Sequence, residues 1–146
     1  MAYCSAADVQ ALIKSITFGT DSPVTLDELE MYHIPAADAY IDARLRKYYS
    51  VPITDEEDLK LIKHISMNLA AAHALGVMLD TTEGKESDNP AVKRLKWALQ
   101  MLDEIESGRL TLKTRRNEMA WSFGQTIYEE RGQDKIEPQV TLDKEF

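Results

Sequence analysis

Residues 36–79 read AADAYIDARLRKYYSVPITDEEDLKLIKHISMNLAAAHALGVML, two apolar segments set back to back across a short break at Ser50, Val51 and Pro52. In the first segment Ala37, Ile41, Leu45 and Tyr48 recur at spacings of four and three. Side chains three and four residues apart share one face of an α-helix, so this spacing predicts a single buried stripe. Pro35 sits just inside the start, where a missing N–H is harmless because the first helical N–H groups have no partner anyway. The helix is therefore predicted to begin near His33 or Ile34 and to end at Tyr49.

In the second segment Thr54 followed by Glu57 is a capping-box pattern, which predicts a helix starting at Asp55. Asp55, Glu56, Glu57 and Asp58 crowd its first turn, where the positive end of the helix dipole favours them. Leu61, Ile65, Leu69, Ala72, Leu75 and Leu79 then read as the core stripe. Ala70, Ala71, Ala72, Ala74 and Gly76 leave little bulk, so a neighbouring helix can approach closely. Asn68 interrupts the apolar run and is expected to be buried against a partner on a facing helix, fixing register rather than doing chemistry.

Outward from this pair, Ser5 with Asp8 makes another capping box, and Val9, Leu12, Ile13 and Ile16 share a face, predicting a short helix over Ala6 to Ile16. Gly19, Asp21, Ser22 and Pro23 mark a loop over Thr17 to Val24. Thr25 and Glu28 cap a further start, so Thr25 to Tyr49 is either two helices or one kinked helix. Asp80 to Asn89 reads as an exposed loop ending in an Asn89 cap, with Pro90 at the first position of a helix over Pro90 to Ser107. Val92, Leu95, Leu99, Leu102 and Ile105 form its stripe and Gly108 its stop. Trp97 and Met101 lie one turn apart and off that stripe, in core packing or on a subunit interface.

From Arg109 onward helical periodicity is lost: Leu110, Leu112 and Thr114 alternate, as do Met119, Trp121 and Phe123. The expected architecture is all-α, a small bundle of four to five helices over residues 1–108, followed by an extended arm over 109–146 with the option of a short β-hairpin near Gly124. Disordered tails usually lack apolar anchors, whereas Trp121, Phe123, Ile127 and Tyr128 are large and close together, a composition suited to docking on a partner surface. Arg109, Lys113, Arg115 and Arg116 make the root of the arm basic, either to pair with an acidic surface or as a solvated charge run.

The net charge is −8. Residues 109–146 carry seven basic and seven acidic side chains, which leaves ten basic against eighteen acidic in residues 1–108, from totals of 17 and 25. An acidic body argues against wrapping nucleic acid, which needs Lys and Arg to displace condensed counterions. No apolar run reaches the length of a bilayer span, and Met1 to Ile16 lacks a secretory-signal pattern, so synthesis in a cytoplasm is expected. Cys4 is the only cysteine, which excludes an internal disulfide and a cysteine cluster for zinc.

The sequence carries no complete phosphate-binding loop, two-histidine metal helix, calcium loop or nucleophile elbow. His64 and His73 are nine residues apart and nearly opposite in helical angle. Asp38 and Asp42, one turn apart, have the spacing for an acid–base pair, although solvent-facing carboxylates at this spacing are common. A hydrolase using Asp38, Asp42 or His73 would need these groups to converge in a cleft. No catalytic residue, cofactor or metal site is assigned.

Ala37, Ile41-Asp42, Leu45, Tyr49 and Pro52, then the Ala-rich helix, then Ile105, Ser107-Gly108-Arg109 and Leu112 follow in an order that resembles the tailed-phage head–tail connector (adaptor, or head-completion) proteins, especially the Mu-type group. The likeness covers Met1 to Leu112, including Tyr3 and Asp8-Val9. It implies a non-enzymatic virion subunit at the head–tail junction, made in the host bacterial cytoplasm. The implied partners are the portal protein, neighbouring copies in a ring that is commonly twelvefold, a downstream neck or tail-completion protein, and double-stranded DNA passing through the channel without specific binding; no membrane is implied. The alternative is a helical regulatory or scaffold module that binds one protein partner through the aromatic arm.

Overall fold

A computed structural model describes residues 1–78 and 89–114. The break around Pro52 separates α3, Ile34–Leu45, from α4, Glu56–Met78, and α4 is the axis on which the rest is built. Before them come α1, Ala6–Leu12, and α2, Leu26–Glu28, and after them α5, Pro90–Glu106. Helices α1, α3 and α5 all pack on α4, with α5 the most extensive neighbour. No strand element forms among the described residues, so the expected all-α body stands. Leu79, the loop through Asp88, and the arm from Arg115 to Phe146, with its expected hairpin, lie outside the described residues.

Three of the expected caps form as read. Ser5 and Asp8, and Thr25 and Glu28, make complete reciprocal capping boxes, and Asn89 accepts from the Ala91 N–H ahead of a helix opened by Pro90. The fourth is a correction: Asp55, not Thr54, caps α4, its carboxylate accepting from the N–H groups of Glu57 and Asp58 at 3.0 and 3.1 Å. A carboxylate meets the positive helix end with a full charge, which a hydroxyl does not. Gly108 adopts φ 75°, the left-handed conformation that ends α5.

Leu26 to Leu45 is one continuous helical run with a defect, and the helix expected to reach Tyr49 ends four residues earlier, at Leu45. Leu29–His33 forms a π-helical segment between α2 and α3, in which the Ile34 N–H reaches back to the Leu29 carbonyl. The cause lies next to it, since Pro35 lacks an N–H and its ring would press on the carbonyl four residues back, and a widened turn relieves both. Helix α1 is shorter than expected, ending at Leu12. The Gln10 amide donates to the Ile13 and Ile16 carbonyls and accepts from the Phe18 N–H, replacing helical bonds with side-chain ones as the chain turns away.

Most residues of the expected stripes are core, and a few give way to a neighbour one position along the chain. On α4, Ile62 is fully buried and Leu61 only partly, while Ile65, Leu69, Ala72 and Leu75 are core as read. On α3, Ala37, Ile41 and Leu45 are buried and Tyr49 takes the place expected of Tyr48. On α5 the buried line is Ala91, Ala98, Leu102 and Ile105, with Leu95 half-buried between them. Ala91 and Ala98 face an α4 whose Ala70, Ala71 and Ala74 are themselves buried, so the two backbones approach closely.

Candidate assembly surfaces

Asp38 is not solvent-facing: it is buried, and its two oxygens accept from the Ser66 hydroxyl at 2.5 Å and the Tyr3 N–H at 2.9 Å. The Tyr3 hydroxyl donates to Asp42 at 2.5 Å and accepts from the Ile53 N–H at 3.0 Å. Cys4 Sγ lies 3.2 Å from Ser66 Oγ. These contacts tie the N-terminal residues, α3, α4 and the loop after Pro52 at one point. Burial raises the Asp38 carboxyl above the ordinary range, against the hydrogen bonds of Ser66 and Tyr3 that favour its charge. Burial likewise pushes the Cys4 thiol up to about 11, the behaviour of a packed and unreactive thiol. The acid–base spacing noted in the sequence is thus taken up by ties from α3 to the N-terminal Tyr3 and, through Asp38, to Ser66 of α4. His73 is exposed on α4 and its electrostatic neighbour is His33, held below the usual histidine range by burial and then by His73.

Two further ties hold α5. Asn68 accepts from Arg94 at 3.0 Å and donates to the His64 carbonyl at 2.8 Å, the buried interhelical bond its position foretold. Arg44 of α3 forms a fork onto Glu106 and reaches Asp103, at 2.6 to 2.8 Å. Sequence spacing gives no signal for either partner, because both are set by how α5 crosses its neighbours.

Of the residues proposed for the arm, Arg109 and Lys113 are described and both are exposed. Arg109 Nε donates to Ser107 Oγ, and Lys113 pairs with Glu57 of the same chain, an acidic contact within the body itself. Arg115, Arg116, Trp121, Phe123 and Tyr128 lie outside the described residues. Residues 109–114 lie against the body: Leu110 and Leu112 pack on the core, and Asp58 accepts from the N–H groups of Lys113 and Thr114 and from the Thr114 hydroxyl. Burial raises Asp58, but these three donors outweigh it and hold the carboxyl below its ordinary value. Trp97 is half-buried with its ring edge-on to His64 at 4.9 Å, and Met101 is half-buried against the core.

The surface that stripe-reading missed is the outward side of α3. Met31, Pro35, Ala39 and Ala43 follow one another at spacings of four, as do Tyr32, Ala36 and Tyr40, and all seven are exposed. Met31 and Tyr32 are 67% and 64% exposed, unusual values for large apolar side chains, and Tyr40 is 42% exposed. Met31 and Tyr32 lie in the π segment that leads into α3, about one turn before Pro35 and Ala36. The signal was present as a second apolar row on a helix already assigned a core-facing one.

This arrangement defines the class: a small α-helical body whose polar groups are spent in ties between helices and which presents an apolar helix face to solvent. A family model described as Bacteriophage Mu, Gp36 matches residues 3–126, and the chain belongs to this bacteriophage family. The match runs past Leu112 into the segment read as an arm. No curated protein and no solved structure matches the chain. Among the described residues no helix is long and apolar enough to cross a membrane, and no group of three or more His, Cys, Asp and Glu is placed to hold a metal ion.

Proposed function

We propose that the chain is a structural, non-enzymatic head–tail connector subunit that forms a ring beneath the portal and extends the DNA channel between capsid and tail. The observation that carries this reading is membership of a bacteriophage Mu family over most of the chain, joined to the order of residues shared with connector proteins. A ring needs one patch to meet a different patch on the next copy. Trp97 with Met101, and the arm with Trp121, Phe123, Tyr128 and the basic residues Arg109, Lys113, Arg115 and Arg116, are the proposed contacts to neighbouring copies and the portal. A downstream neck or tail-completion protein would occupy the far side of the ring. The acidic balance of residues 1–108 suits a channel past which DNA slides without sticking, because like charges repel.

The deciding measurement is native mass of the full chain mixed with the portal of the same phage. Addition of a defined number of copies is expected, and removal of residues 115–146 should abolish it while leaving the helical body folded. No addition to an intact portal would overturn the connector reading in favour of a single-partner regulatory or scaffold module.

A further inference from the structure

The outward face of α3 carries its own description of what covers it. Along the row Met31, Pro35, Ala39 and Ala43, which runs from the π segment into α3, the bulky side chain lies at one end and the alanines at the other, with Tyr32 and Tyr40 on the flanking row. The face is bounded by acids at the first end, Asp27, Glu28 and Glu30, and by Lys47 just past the second, all exposed. Lys47 is exposed, with its ammonium 5.4 Å from the centre of the neighbouring Tyr48 ring. The size order of this row and the charges that bound it share a midpoint close to residue 37. Setting a second copy of the helix antiparallel about that point brings Met31 opposite Ala43, Pro35 opposite Ala39, and Asp27 opposite Lys47.

We infer that this face is a self-association surface on which a second copy of the chain docks antiparallel, through a two-fold contact centred between Ala36 and Ala39. Met31 of each copy fills the space beside Ala43 of the other, as in close helix packing, and an acid–base pair of Asp27 with Lys47 closes each end. A two-fold contact is complete at two copies, since the same patch serves both partners. It therefore describes the free chain, and any ring is built on other surfaces. About 30 Å of paired helix buries on the order of 1,000 Å² in total, the low end for a specific interface, so the pair should form reversibly with concentration.

Sedimentation equilibrium on the full chain, from about 10 μM to about 1 mM, tests this in the range where small interfaces associate. The mass is expected to rise from one chain to two. Ala39→Asp sets two like charges at the centre and should weaken the pair at least tenfold, roughly, with an unchanged thermal melt because the site is exposed. Asp27→Lys and Lys47→Asp should each weaken it about threefold to tenfold, and the two together should restore it, since they exchange the charges and keep their complementarity. A monomer throughout, a pair indifferent to Ala39→Asp, or a double exchange no better than the single ones would overturn the inference. A chain that stays monomeric yet adds to the portal would overturn this inference alone and leave the connector reading standing.

Discussion

Asp38 and Asp58 are two buried carboxylates on which separate parts of the chain converge, and their environments push them in opposite directions. Replacing Asp38 by Ala leaves the Tyr3 N–H unmet in a buried site and leaves the Ser66 hydroxyl only the weakly accepting Cys4 sulfur, at about 1–3 kcal/mol for an unmet donor. Thermal melts should therefore show Asp38→Ala losing about 2–4 kcal/mol, and Asp38→Asn less, because the amide oxygen still accepts one of the two bonds. Asp58 titrates below its ordinary value near 3.9. Its contribution is complete above that value and is lost as pH falls through the lower, folded one. The stability gap between the native chain and Asp58→Ala should accordingly be full at neutral pH and narrow below about pH 4. Asp38 has the reverse sign: its raised value means that its own ionisation opposes folding as pH rises through that value.

At the scale of elements, the α4–α5 contact depends on small side chains. Ala98 is fully buried on α5, which packs most extensively on α4, itself rich in buried alanines at Ala70, Ala71 and Ala74, so a longer side chain must displace its neighbours. Ala98→Leu should force the helices apart and cost about 1–3 kcal/mol, read as a lower midpoint in urea. The exposed Ala39, one helix away, provides the control, since Ala39→Leu should leave the midpoint within about 0.5 kcal/mol of native. The π segment shows how one residue reshapes an element. A run with a good cap at Thr25 and regular apolar spacing would continue as an α-helix, and Pro35 makes its preceding turn widen instead.

For the whole molecule, the helical body is held at both chain ends of the described region. Tyr3 ties the start to α3 and to Ile53, while Lys113 and Thr114 tie the end to Asp58 at the first turn of α4. A chain cut after Thr114 should therefore melt within a few degrees of the full chain. One cut after Gly108 should lose about 2–4 kcal/mol, because Leu110 and Leu112 leave the core and Asp58 is left without its donors. Equal stability of the two would place the edge of the body at Gly108, where the glycine stop alone suggests it.

By itself the sequence determined the all-α class and the order of the helices among the described residues, leaving Thr25 to Tyr49 open between two helices and one kinked helix, because caps, proline and glycine act on their immediate neighbours and apolar spacing of three and four marks a helix face. The capping boxes at Ser5 and Thr25, the break at Pro52, the Asn89–Pro90 start and the burial of Asn68 all follow from such local rules. Only the tertiary structure decided which residue of a broad apolar helix faces inward, a difference of one position that spacing does not resolve on α3, α4 and α5. It also decided the partners of Asp38, Asp58 and Arg44, which lie 28 to 62 residues away along the chain. Local rules carry no information over such separations, since the position of one helix against another is set by the packing of whole faces. The outward face of α3 sits between the two: its rows are written in the sequence, and its exposure is known only once the core has chosen the other side.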